Sequence, residues 1–244
     1  MTIGHEKLHA MARLPRPDIA NVAQHVVQRG NDRLPCFFDV LDRRRYLAAL
    51  REMSLHYGCA IHAYVLMTNH VHLLVTPETL GGVSRMMQGI GRTYVTYFNT
   101  RHRRSGTLWE GRFKSCLVGG KRHVLACHRY IELNPIRAAI VARPHEFPWS
   151  SHAANAFGHA DPLLRSHPTY HSLGSNPAQR QLAYRALFDQ VLTEADISDI
   201  RAYIQQQRAL GSNRFRAIVE RKLGRCASVR PAHRPSRRSK AKVL

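Results

Sequence analysis

His70 and His72 are separated by one apolar residue within Leu66-Met67-Thr68-Asn69-His70-Val71-His72-Leu73-Leu74-Val75. Side chains two apart on a strand leave the same face. A strand here therefore presents two imidazoles together, and rigidly paired imidazoles are the beginning of a divalent-metal site. Spacing alone does not make them one. With 16 histidines in 244 residues, about one His-x-His pair is expected by chance, and core or solvated histidines read the same way. Further along, Tyr130 and Asn134 lie four apart in Arg129-Tyr130-Ile131-Glu132-Leu133-Asn134-Pro135, on one face of a helix that persists to its last turn. A phenol oxygen is a nucleophile at phosphorus, and imidazoles with an amide oxygen can hold a divalent ion on the phosphate under attack. Taken without the histidines, the same tyrosine reads as a ring half-buried against a sheet, its hydroxyl bonded at the edge.

The charge balance favours a phosphate partner. The chain has 37 Lys+Arg against 16 Asp+Glu, a formal net charge of +21. That excess points to a polyanion, most often nucleic acid, because each neutralised phosphate releases counterions. An anionic membrane surface is the competing partner, but no apolar run approaches the ~20 residues that span a bilayer, so no membrane role is expected. The N-terminus lacks the apolar core of a signal peptide. Five cysteines without a C-x-x-C pair argue against a zinc cluster or a disulfide framework and fit a reducing cytoplasm. Between the two chemical sets, Asn99 to Ser115 mixes guanidinium groups with Trp109 and Phe113. Arginines suit phosphate and aromatic rings stack on unpaired bases. The expected DNA-contact residues are Arg29, Arg92, Arg101, Arg103, Arg104, Arg112 and Lys114, with Trp109 and Phe113 as stacking rings. A charged loop with Trp109 in the core is the alternative.

These groups need elements to position them. A strand over 21–28 runs into a turn at Arg29-Gly30-Asn31-Asp32. Asp39 caps a helix over 39–57 that Gly58 stops. Strands over 59–67 and 70–76 are joined through Thr68-Asn69 as an antiparallel pair. A helix over 82–101 follows, then a strand over 109–118 interrupted by Gly111, then a helix over 121–133 that Pro135 limits. Strand-helix-strand twice over predicts an α+β fold, a ferredoxin-like antiparallel sheet with helices on one face. The expected organisation is a catalytic and DNA-binding domain over 1–150 and a loop-rich linker over 151–175. A helical extension over 176–224 and a basic, disordered tail over 225–244 complete it.

The chain resembles the single-tyrosine, IS200-like transposases of the HUH class, most closely their REP-associated tyrosine transposase branch. Four blocks in order carry the resemblance: His25 to Asn31, His62 to Val75, Tyr97-Phe98-Asn99 with Gly106 to Lys114, and Arg129 to Ala138. The resemblance implies that His70 and His72 are the metal-binding pair, that Tyr130 is the catalytic nucleophile and that Asn134 completes the metal site. It implies cleavage and rejoining of single-stranded DNA, often at imperfect hairpins, with Mg²⁺ or Mn²⁺. Thr68 stands where many relatives have proline, and His123 where many have an aromatic residue. One tyrosine permits one covalent link per site, so full excision takes sequential steps or a homodimer. A noncatalytic single-strand binder and a domesticated repeat-processing regulator remain alternatives at this stage.

Overall fold

The computed structural model describes residues 15–230. Its core is β1 (Ala23–Arg29), α1 (Val40–His56), β2 (Cys59–Leu66), β3 (His70–Pro77), α2 (Gly82–Arg101) and β4 (Lys114–Val118). β3 lies antiparallel between β2 and β1, and β1 pairs antiparallel with β4. This is the ferredoxin-like order expected, and the histidine pair falls on an interior strand. Asp39 caps α1, its carboxylate accepting from the backbone N–H groups of Leu41 and Asp42 at 2.9 and 3.0 Å. Gly58 ends that helix with a φ of +57°, a conformation glycine reaches without strain.

The following elements are α3 (Lys121–Glu132), α4 (Asn134–Arg137), α5 (His152–Phe157), α6 (Pro168–His171), α7 (Pro177–Ala186), α8 (Glu194–Gln206), β5 (Ala209–Leu210) and α9 (Asn213–Leu223). Helices cover both faces of the sheet rather than one. Val26, Leu66, Val71, Leu73 and Val75 pack with α1 and α2 through Tyr46, Leu50, Met86, Ile90 and Tyr94. On the opposite face, Ala63, Val65, Leu74 and Cys116 pack with α3 and α8 through Cys127, Ile131, Ile200 and Ile204. The cause is visible in β2 and β3, whose residues are buried almost without alternation. Strands apolar on both faces need two covering layers.

The extension is continuous with this domain. α8 fills the second face, and β5 pairs parallel with β4, making the sheet five-stranded and mixed. A two-residue strand has no period to betray it in sequence. The stretch expected as a loop-rich linker contains α5 and α6. The first residues of the expected disordered tail are seated. The Ala209 N–H donates to the Ala227 carbonyl at 2.9 Å, and Arg230 exchanges two 2.8 Å bonds with the Gln206 side chain. The first of these bonds occupies a backbone N–H of β5, at the edge of the sheet, and the other two hold the chain at 230 against the last residue of α8. The rest of that tail, 231–244, lies outside the described residues. Among the described residues no helix is long and apolar enough to cross a membrane.

The strand expected over 109–118 begins only at Lys114. Gly111, at a φ of +66°, turns the chain, and its N–H bonds the Trp109 carbonyl at 2.7 Å. Trp109 lies in the core beside Tyr46 and Tyr94, and Phe113 is buried in the same cluster. Pro135 ends α3 as expected, yet Asn134 opens a new helical turn, α4, with Pro135 within its first two positions. A proline there costs nothing, because its missing N–H would have had no intrahelical partner.

Candidate active site

β1, β3 and β4 place one polar strip on the face that α3 covers. The register sets Arg29 opposite His70 and Val27 opposite both His72 and Lys114. His25 stands two residues before Val27, on the same face. α3 lays Tyr130 across the strip. Its ring centroid is 5.7 Å from those of His72 and His25, edge to face in both cases, and His70 and His72 are 5.0 Å apart. The Arg137 guanidinium sits 4.2 Å from the Tyr130 ring centroid and donates to the Tyr130 carbonyl at 2.6 Å. This clamps the tyrosine between α4 and the strip.

These groups open on a cleft of about 550 Å³ lined by His70, His72, Tyr130 and Asn134. Five cations, Arg29, Arg33, Arg112, Lys114 and Arg201, line it against one acid, Glu110. The balance suits a phosphate-bearing ligand. Lys114 donates to Gln205 Oε1 at 2.7 Å, so α8 helps to close the wall.

The histidines are neutral. Burial, then the Arg29 and Arg137 charges, push His70 down to about 4. Burial and the Arg137 charge push His25 down to about 3. Burial, with the neighbouring imidazoles and the same arginines, holds His72 well below its usual range. Neutral imidazole is the form that binds a metal. His70 bonds the Asn69 carboxamide oxygen through Nδ1 at 2.7 Å, while Asn69 Nδ2 donates to the Arg33 carbonyl at 2.9 Å. The His70 proton is thereby fixed on Nδ1, and Nε2 keeps its lone pair. The Asn134 amide nitrogen donates to the Tyr130 and Ile131 carbonyls at 2.9 and 3.3 Å, leaving its oxygen for another partner. Two neutral imidazoles with an amide oxygen suit a divalent cation, with positions left for substrate oxygens. Among the described residues no group of three or more His, Cys, Asp or Glu side chains forms a closed metal cage.

Arg29, Arg112 and Lys114 line the cleft as the sequence suggested; the other expected DNA contacts do not. Arg101 is spent on Asp39 and Asp42, at 2.6 and 2.7 Å, where it ties α2 to α1. Trp109 and Phe113 are 6% and 7% exposed, and Phe113 is covered by the Arg16 guanidinium at 3.7 Å. Neither ring offers a face to a base. Arg92, Arg103 and Arg104 sit on or just after α2, in the other layer, and do not line the cleft. Sequence reasoning missed roles for Asn69, His25, Arg33, Arg137 and Arg201. The first two carried an available signal: Asn69 precedes His70, and His25 shares its strand alternation with Arg29.

A ferredoxin-like sheet thus carries paired histidines on an interior strand, faced by a helical tyrosine over a basic cleft. Residues 18–134 match the family described as "Transposase IS200 like". The match spans 117 of the chain's 244 residues and supports a DNA-processing enzyme similar to the IS200-like transposases. A solved structure of a REP-associated tyrosine transposase bound to a REP hairpin is similar in fold, with a TM-score of 0.52 at 17% identity. The likeness covers 64% of this chain and 93% of that one. A candidate transposase from Deinococcus radiodurans R1 covers 53% of this chain and 92% of its own at 16% identity, but its TM-score of 0.34 carries no weight. No curated protein matches the chain.

Proposed function

We propose that the protein cleaves and rejoins single-stranded, hairpin-bearing DNA through a covalent link to Tyr130. The observation that carries this is the convergence of one phenol and two neutral imidazoles on a single basic cleft. The hairpin complex of the similar REP-associated transposase supports hairpin DNA as the partner. In the proposed step the Tyr130 oxygen attacks the scissile phosphorus in line. The new O–P bond forms as the bond to the 3′ oxygen breaks, and the phenolic proton passes to solvent or to that oxygen. The products are a 5′-phosphotyrosine and a free 3′-hydroxyl. A 3′-hydroxyl from another strand reverses the step, so rejoining needs no ATP.

His70, His72 and Asn134 would hold Mg²⁺ or Mn²⁺. When bound, the ion polarises a non-bridging phosphate oxygen and offsets the charge that develops there. Arg29, Arg112 and Lys114 hold flanking phosphates, and Arg137 keeps the Tyr130 ring from turning away. Excision of a complete element takes sequential steps or a second protomer.

The test is incubation with single-stranded hairpin DNA and Mn²⁺, followed by denaturing electrophoresis. An SDS-stable protein–DNA adduct that forms with Mn²⁺ and not in EDTA is expected. Hairpin binding without any adduct would instead favour a noncatalytic single-strand binder.

A further inference from the structure

The two histidines of the cleft are held by different kinds of partner. The Asn69 carboxamide oxygen beside His70 can only accept, so it dictates where the His70 proton sits. His72 Nδ1 instead meets another imidazole, His25 Nε2, at 2.8 Å. Between two neutral imidazoles either ring can donate. If His25 donates, the His72 proton lies on Nε2 and that nitrogen cannot bind a cation. If His72 donates, Nε2 keeps its lone pair.

His25 is fully buried, and its Nδ1 has no hydrogen-bond partner. The bond to His72 is the one polar contact its side chain makes among the described residues. An imidazole that satisfies one nitrogen and strands the other weakens a core relative to an apolar ring of the same size. Packing therefore does not account for a histidine here, whereas a hydrogen-bond acceptor for His72 does. Ligating histidines characteristically donate their second ring N–H to a fixed acceptor, which sets the tautomer and the ring's aim.

We infer that His25 is a positioning residue: its Nε2 accepts the His72 Nδ1 proton and so reserves His72 Nε2 for a divalent cation. This rests on the reading of His70 and His72 as the metal pair. His25 then does for His72 what Asn69 does for His70, and both ligands stand ready before metal arrives.

Two measurements on the full chain test this. Nitrogen-15 NMR of the metal-free wild type reads the imidazole tautomers directly, and His72 protonated on Nδ1 is the expected result. Mn²⁺ titration followed by electron paramagnetic resonance compares the wild type with His25→Phe and His25→Gln, with hairpin binding in EDTA as the control. His25→Phe keeps a ring but no acceptor and should weaken Mn²⁺ about 10- to 100-fold, leaving hairpin binding in EDTA unchanged. His25→Gln, whose side-chain oxygen can accept, should recover part of the loss. A His72 proton found on Nε2, or a His25→Phe protein that binds Mn²⁺ like the wild type, overturns the inference. Should His25→Phe fail to fold, the tautomers of the wild type still decide. Failure of the underlying reading looks different: the wild type itself then binds no Mn²⁺, and both fall together.

Discussion

Removing the carboxylate of Glu132 should loosen the helix that carries Tyr130. Glu132 is fully buried at the end of α3, two residues from the tyrosine and so on the opposite side of the helix. Its Oε1 accepts from Ser151 Oγ at 2.6 Å and Asn155 Nδ2 at 2.9 Å. Its Oε2 accepts from Tyr184 Oη at 2.8 Å and is 3.0 Å from His152 Nδ1. These partners come from α5 with its N-terminal flank and from α7, so one carboxylate joins three helices. Glu132→Ala strands every donor in a buried space, and deleting one member of such a charged network costs about 3–5 kcal/mol. At about 2–4 °C per kcal/mol for a domain of this size, the melting temperature should fall by roughly 6–20 °C. Glu132→Gln keeps the shape but turns one acceptor into a donor. The Ser151 and Tyr184 hydroxyls can rotate to accept, so the cost drops to about 1–3 kcal/mol. Burial by itself would raise the Glu132 pKa, but the bonds from His152 and Ser151 outweigh it and hold the carboxyl below its ordinary value. A depressed folded value means this contribution is complete above about pH 4.3 and is lost as pH falls through the folded value. Glu132→Gln should accordingly flatten the acid side of the stability curve. Urea unfolding by circular dichroism at pH 7 and through a series of pH values below 4 measures both effects. A Glu132→Ala protein within 1 kcal/mol of the wild type would refute this reasoning.

Three further outcomes follow from the same geometry. Arg112→Ala should weaken hairpin binding and lower the slope of log affinity against log salt by about 1, whereas Arg101→Ala should lower the melting temperature and leave that slope unchanged. Trp109→Ala should behave as a core deletion costing about 3–5 kcal/mol in urea unfolding, because its ring packs on Tyr46 and Tyr94. Gly30→Ala should destabilise by about 1–3 kcal/mol and weaken Mn²⁺ in titration. A Cβ there would stand 2.3 Å from the Leu34 carbonyl, in the turn whose Gly30 N–H holds the Asn69 carbonyl at 2.8 Å.

The ferredoxin-like core and the placing of two histidines on one strand face were legible because strong local patterns encode them: Asp39 as a cap, Gly58 as a stop, and His70 with His72 on alternating positions. The second covering layer was implied by the unbroken apolar runs of β2 and β3, but its partner α8 lies more than a hundred residues downstream, and sequence spacing does not carry such pairings. Trp109 and Phe113 misled for a related reason. Composition places aromatics beside arginines, while the core cluster takes both rings inside. Arg101 looked like a phosphate contact because its acidic partners Asp39 and Asp42 sit some sixty positions earlier. The alternation of His25 with Arg29 was visible, but the contact of His25 with His72 follows from cross-strand register, and that of Arg137 with Tyr130 from the helical turn after Pro135.

The central claim is that Tyr130 is the nucleophile. The most direct measurement compares the wild type with Tyr130→Phe on single-stranded hairpin DNA with Mn²⁺, and maps any covalent adduct by peptide mass spectrometry. The wild type should give an SDS-stable adduct on the peptide that contains Tyr130, and Tyr130→Phe should give none while still binding the hairpin. An adduct that survives the substitution, or one that maps to another residue, would contradict the account.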